Sequence, residues 1–365
     1  MEKTPLSTAS TSKISPHVQD FTDVIWLQTS FIGDVVLTTA AMSALHKLRP
    51  GINQHLITTA AGAIALEHHP LLKSIHVFVK RKSSIKSLFK ICSDIRNLGL
   101  KHPVILQPHK SFRSTLLSKL LGYKLITYAE TNFSFLAHTR IPRVAVMHET
   151  DRIALLLEGL GLERRDFLGF KPALPTASPE ERHPALAQIV SPKKATKWIA
   201  IAPGSVWATK RWPTSKFAAL SHQLLERHDI GIILLGSRED QSSTNFIEVA
   251  CLQKKPTARD RVVNLAGKTS LGDLTGIYPH LKLLISNDSS PIHYASAFNI
   301  PTIAIFGATV PSMGFGPLAD KSQVAEISLS CRPCGDHGHK SCPLGHFKCM
   351  NDLTVEYVLN LVPEL

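Results

Sequence analysis

A chain of 365 residues, 44% of them hydrophobic, has material for two domains with cores of their own and is not a disordered polymer. No run reaches the ~18 uncharged apolar residues a membrane helix needs, which excludes a helical membrane-spanning class. Lysine and arginine outnumber aspartate and glutamate by 41 to 28, a formal charge of +13 that favours an anionic partner. The basic residues are scattered, and no RNP, zinc-finger or basic-zipper pattern accompanies them, so nucleic acid is not the expected partner.

Residues 1–20, MEKTPLSTASTSKISPHVQD, are polar and rich in serine and threonine. Without an apolar leader core they read as a loose tail and not a signal peptide, and the expected compartment is the cytoplasm. Over residues 21–172 short apolar runs recur (VIWLQ, QHLITTA, SIHVFV, PVILQ, KLITYA), separated by helical patterns such as Ser84 to Leu98 and Ser111 to Leu121. Residues 173–197 are proline-rich, lack periodicity and read as an interdomain linker. Over residues 198–365 the rhythm resumes with KWIAIAPG, IGIILLGS, RVVNLAG, LKLLISND and PTIAIFG. Helical patterns again intervene, at Thr214 to His228, Glu239 to Leu252 and Pro291 to Phe298. Strands that alternate with helices mean parallel sheets covered on both faces. The expected class is therefore α/β, with two Rossmann-like domains facing each other across a cleft.

Ligands of open α/β sheets bind beyond the carboxyl ends of the strands, so chemistry is expected there. After VIWLQ the chain places Gly33-Asp34 at the mouth of a helix, where Asp34 could be an N-cap for a helix from Val35 to Leu48. After KWIAIA, the turn Pro203-Gly204-Ser205 brings backbone close to a ligand, and Lys210 is placed to reach phosphate oxygens; a solvated Lys210-Arg211 pair is the alternative. After IILLGS come the acids Glu239 and Asp240; a carboxylate there could accept from ribose hydroxyls, or both could only complement a helix dipole. After LKLLISN come Asp288, Ser289 and Ser290, then Pro291. Ser290 as N-cap and Pro291 as first helical residue would leave N–H groups free for a diphosphate, flanked by Asp288 and His293. Simple capping, with His293 turned to the core, is the alternative. GFGPLA (Gly314 to Ala319) and AGKTS (Ala266 to Ser270) are incomplete nucleotide motifs: the first follows no strand, and the second lacks its leading glycine.

In this order, SFIGDVVLTTAA, QPHKSFRSTLL, MHETDR, PGSVWATKRWP, NLAGKTSLGDL, NDSSPIHYASAFNIPTIAIFGAT and CRPCGDHGHKSCPLGHFKCM resemble the lipopolysaccharide heptosyltransferases of glycosyltransferase family 9, most of all their type II branch. The usual Asp-Ser-Gly is Asp288-Ser289-Ser290 here, and the proline usual after the paired threonines is Ala40. The resemblance implies a GT-B fold with an N-terminal acceptor domain and a C-terminal donor domain. It implies ADP-heptose as donor and a Kdo- and heptose-bearing lipid A as acceptor. The transfer would be inverting, with no cofactor and no bound metal ion. Asp34 matches the family's catalytic aspartate. Ser205, Lys210, Asp240, Asp288, Ser289, Ser290 and His293 would hold the donor, and Lys110 and Arg113 the anionic acceptor. An acceptor in the inner membrane implies peripheral contact with that anionic surface.

Four cysteines are spaced Cys331-x2-Cys334-x7-Cys342-x6-Cys349, with His337, His339 and His346 among them. Reduced thiols packing a loop, a structural zinc site without the usual second Cys-x-x-Cys pair, and disulfides all remain open. Cys92 and Cys251 read as buried apolar fillers.

Overall fold

The computed structural model describes residues 21–79, 85–176, 184, 189 and 197–365. The tail 1–20 and most of the linker 173–197 lie outside the described residues. The first sheet holds β1 (Asp23–Gln28), β2 (Asn53–Thr58), β3 (Leu72–Val77), β4 (Pro103–Gln107), β5 (Lys124–Tyr128) and β6 (Thr139–Ile141) in the order β3-β2-β1-β4-β5-β6. The second holds β7 (Lys197–Ala202), β8 (Ile230–Leu234), β9 (Val262–Asn264), β10 (Leu281–Asn287), β11 (Thr302–Ile305) and β12 (Gln323–Ala325) in the order β12-β11-β10-β7-β8-β9. All pairings are parallel, and the two orders are the same winding repeated. Each sheet reverses direction between its first and fourth strands, β1 with β4 and β7 with β10, which opens a crevice at their carboxyl ends.

Burial follows from that winding. Every residue of β1 is buried, as expected of a central parallel strand covered on both faces. Side chains alternate along it: Ile25 and Leu27 pack with Ile105, Ile95 and Leu117 on one face, Val24 and Trp26 with Leu37, Leu45 and Leu106 on the other. The second cluster does not stop at the first domain. It runs on through Tyr278, Tyr294 and Ala295 to Ala200 and Leu284 of the second sheet. The helix Ile32–Leu48 lies inside it and is buried on most of its circumference, which explains its weak amphipathicity: it has the first sheet on one side and the second domain on the other.

Three elements depart from the sequence reading. Strands β6 and β12 have three residues each, too few to show a period-two pattern, and both lie at sheet edges. The helix expected from Val35 begins at Ile32 with Phe31 as N-cap, so Asp34 is the third helical residue and not a cap.

Candidate active site between the two sheets

At the end of β1, Gln28 is buried and holds the turn that follows: its amide donates to Thr38 Oγ1 at 3.2 Å, and its carbonyl oxygen accepts from the Ser30 amide at 3.2 Å. The turn delivers Asp34 to the crevice, where Ser30 Oγ donates to its Oδ2 at 2.6 Å. Burial raises the Asp34 carboxyl above its ordinary value. Ser30, the Phe31 backbone and the charges of His337 and Arg143 pull the other way. A carboxylate whose pKa is raised in this way is a stronger base than an exposed one.

Gly33 explains how the other domain reaches this point. A Cβ there would lie 2.8 Å from His293 Cδ2 and 3.9 Å from Ser290 Cα, so only glycine lets the two helix starts meet. His293 is buried against that contact, its ring 6.3 Å from Phe315, and its Nδ1 has no hydrogen-bond partner among the described residues. Burial pushes its pKa down to about 3, helped by the charges of His148 and Lys210. His293 is therefore a neutral ring that can donate or accept one hydrogen bond, and not a cationic clamp.

Across the cleft, Asp288 is buried beyond β10. Its Oδ2 accepts from Lys210 Nζ and from Thr309 Oγ1, each at 2.6 Å. The neighbouring residues tie the strand ends together. Asn287 Nδ2 donates to Pro203 O at 2.7 Å, its Oδ1 accepts from the Trp212 amide at 3.0 Å, and Ser289 Oγ donates to Gly204 O at 3.3 Å. Ser205 sits half-buried in the same turn, its carbonyl accepting from Arg211 Nε at 2.7 Å. Asp240 caps its own short turn, accepting at Oδ2 from the amide and hydroxyl of Ser237, both at 2.8 Å. It also packs where side chains at Gly204 and Gly236 would stand, which puts a carboxylate at the ends of both β7 and β8.

The helix start at Ser290 differs from expectation. Ser290 is helical in backbone and makes no capping bond with its side chain. The amides of Ile292 and His293 already donate to Ser289 O and Ser290 O at 3.1 and 3.0 Å. The free N–H cradle expected there is correspondingly smaller, and Lys210 becomes the principal positive group.

On the first domain, Lys110 and Arg113 are exposed on the rim after β4. They are not in the cleft floor with Asp34. His109 links the rim to the floor: its Nε2 stands 3.0 Å from both Thr29 Oγ1 and Ser114 Oγ.

Sequence reasoning missed a second circle of groups. Glu149 is buried, bonded by Arg152 and, at 3.3 Å, by Arg143; burial and the charge of Asp34 raise its carboxyl to about 7. The MHETDR string held this signal without showing what it faces. The cysteine-rich segment was likewise legible only as a cluster. His339 N donates to Thr209 Oγ1 at 2.8 Å, Cys334 N to Ala308 O at 2.8 Å, and Arg332 to the carbonyls of Phe306, Gly307 and Thr309. The segment thereby braces both partners of Asp288. All six cysteines are unpaired, and Cys331, Cys334, Cys342 and Cys349 line one cavity of about 260 Å³ with His346. Cys92 and Cys251 are buried, as fillers should be. Among the described residues no helix is long and apolar enough to cross a membrane.

A sequence model described as glycosyltransferase family 9 (heptosyltransferase) matches residues 104–346. Lipooligosaccharide heptosyltransferase 2 of Campylobacter jejuni is 31% identical over 174 residues, 47% of this chain and 52% of that protein. The chain thus spans about half the length of the curated relatives it matches first. Lipopolysaccharide heptosyltransferase 1 of Campylobacter coli is 25% identical over 93% of this chain and 97% of its own. The solved structure of Escherichia coli ADP-heptose LPS heptosyltransferase II superposes with a TM-score of 0.75 at 22% identity, covering 93% of this chain and 97% of that one, a likeness of fold.

Proposed function

Because the chain belongs to glycosyltransferase family 9, the heptosyltransferase family, we propose that it transfers heptose from ADP-heptose to a heptose-bearing inner-core acceptor on lipid A, as a type II enzyme, with Asp34 as base. The observation that carries this reading is the Gly33–His293 contact: it sets a buried carboxylate on one sheet opposite the Lys210–Asp288–Thr309 cluster on the other.

An inverting transfer is a single displacement. The acceptor oxygen bonds to the anomeric carbon as the bond to the diphosphate oxygen breaks, and the leaving electron pair goes to ADP. Asp34 takes the acceptor proton, held in place by Ser30. Lys210 meets the charge growing on the diphosphate; Asp288, itself bonded by Thr309, fixes its ammonium beforehand, so little reorganisation is needed. His293, neutral, contributes a hydrogen bond and not a charge. Ser205, Ser289 and Ser290 line the turns that diphosphate oxygens approach, and Asp240 accepts from the ribose. Lys110 and Arg113 meet the anionic acceptor on the rim. The setting is the cytoplasmic side of the membrane that carries the acceptor. The type II reading over types I and III rests on the wording of the cysteine-rich segment and on relatives such as the one from C. jejuni.

The test is transfer from ADP-heptose to Kdo-lipid A with and without the first heptose, beside donor binding by calorimetry, for wild type and Asp34→Asn. Transfer confined to the heptose-bearing acceptor, and a loss in kcat of about 10²-fold or more in the variant with donor affinity kept, is the expected result. Absence of ADP-heptose binding would sink the reading.

A further inference from the structure

Three phenylalanines form a continuous ridge on the first domain. Phe112 and Phe133 have ring centroids 4.8 Å apart, and Phe133 and Phe135 5.7 Å. Their exposures are 46%, 47% and 70%, so three large apolar side chains stand together in water, where isolated ones would call for no explanation. The ridge is built and held. Phe133 adopts a left-handed backbone (φ 61°), a conformation unfavourable for a residue with a Cβ. Its loop is braced by Ser134 Oγ donating to Ala129 O at 2.7 Å and Thr115 Oγ1 donating to Asn132 O at 3.2 Å. Phe112 opens the helix after β4, and Phe133 and Phe135 follow β5, so the ridge lies at the carboxyl edge of the first sheet, the edge that carries Asp34. Lys110 and Arg113, both exposed, bracket Phe112 in the chain.

We propose that this ridge is where the protein docks on an anionic phospholipid bilayer, with the three rings entering the acyl region and the flanking basic residues at the headgroups. The chemistry of the patch chooses the partner. The rings are tilted by 46° and 52° to one another, which gives a wedge and not the flat platform on which a sugar ring stacks. Phenylalanine has no hydroxyl or indole N–H to offer sugar hydroxyls. A patch of hydrocarbon beside cations on a chain of formal charge +13 matches acyl chains beneath anionic headgroups. The link to the reaction rests on the function proposed above: docking by this edge turns the acceptor side of the cleft to the membrane.

Vesicle flotation of the full chain tests it without reference to transfer. Wild type should float with vesicles of phosphatidylethanolamine and phosphatidylglycerol and at least tenfold less with phosphatidylcholine alone. The triple variant Phe112→Ser, Phe133→Asn, Phe135→Ser should lose at least tenfold in binding to the anionic vesicles while its kcat on a deacylated, water-soluble acceptor stays within twofold. Phe135→Ser alone, the most exposed change, serves if the triple variant fails to fold, with a severalfold loss expected. Equal binding by wild type and variants, or no flotation of wild type, overturns the proposal. Unchanged flotation with impaired transfer to the deacylated acceptor overturns it in favour of a sugar platform. Since flotation needs no donor, a failure of the heptose reading leaves this result legible.

Discussion

Asp34 has the environment of a tuned base: burial raises its pKa, and Ser30, the Phe31 backbone, His337 and Arg143 hold it down. As the proposed base, Asp34 must be ionised to act, so kcat/KM should fall as pH drops through a value above that of an ordinary carboxylate. Removing the Arg143 charge removes a group that favours the anion, so Arg143→Gln should move this acid limb upward. A pH profile of the two enzymes checks it, and a limb that stays still or moves down contradicts the assignment. Gly33 gives a second test at the same scale. A methyl at Gly33 meets His293 at 2.8 Å, so Gly33→Ala should cost roughly 1–3 kcal/mol of domain apposition and lower kcat, with the fold intact by circular dichroism. Gly33→Ala combined with His293→Gly should then recover the apposition, measured as protection of the interface amides from hydrogen exchange, and failure to recover would mean that the clash is elsewhere.

Between residues and domains, the cysteine-rich segment acts as a brace. Arg332, almost fully buried, bonds the carbonyls of Phe306, Gly307, Thr309 and Ile327 as well as Glu326, at 2.6 Å. Arg332→Ala would leave several acceptors without a donor and loosen Thr309, a partner of Asp288. We expect a loss of stability on the order of 3 kcal/mol and weaker donor binding, read by thermal melting and calorimetry. Unchanged donor affinity in a folded variant would separate the brace from the site. This coupling also shows where the sequence stopped being informative. The central strands were readable because burial on both faces writes unbroken apolar runs, and Asp34, Lys210, Asp240 and Asp288 were readable because strand ends are marked by glycine, serine and proline. The edge strands β6 and β12 were too short to carry a pattern. The cluster Glu149–Arg143–Arg152 and the embrace of Thr209 by His339 depend on which distant segments meet, and local spacing carries no record of that.

Over the whole molecule, the two domains are joined by more than a linker. Residues 148–152 of the first domain bond a single loop of the second: the Glu149 amide donates to Gly314 O at 2.8 Å, His148 Nε2 lies 3.1 Å from Gly316 O, and Arg152 Nη2 donates to Met313 O at 3.3 Å. Since His148 Nδ1 accepts from the Thr150 amide, its Nε2 carries the proton, and burial keeps the ring neutral by lowering its pKa. The loop closes this tightly because Gly314 has φ +100° and no side chain; a Cβ would collide with the Met147 carbonyl. The GFGPLA string, no nucleotide motif, thus has a structural reason for its first glycine. Gly314→Ala should strain the backbone and push the domains apart, with a cost of about 1–3 kcal/mol falling on the closed arrangement alone. That cost lowers the closed-to-open ratio roughly five- to 150-fold. Asp34 and Lys210 sit on opposite domains, so under the proposed roles, with the donor held by the second domain, the variant should lose kcat while donor affinity changes little. Small-angle scattering should report a larger radius of gyration, and an unchanged radius with unchanged kcat would show that this loop does not hold the cleft closed.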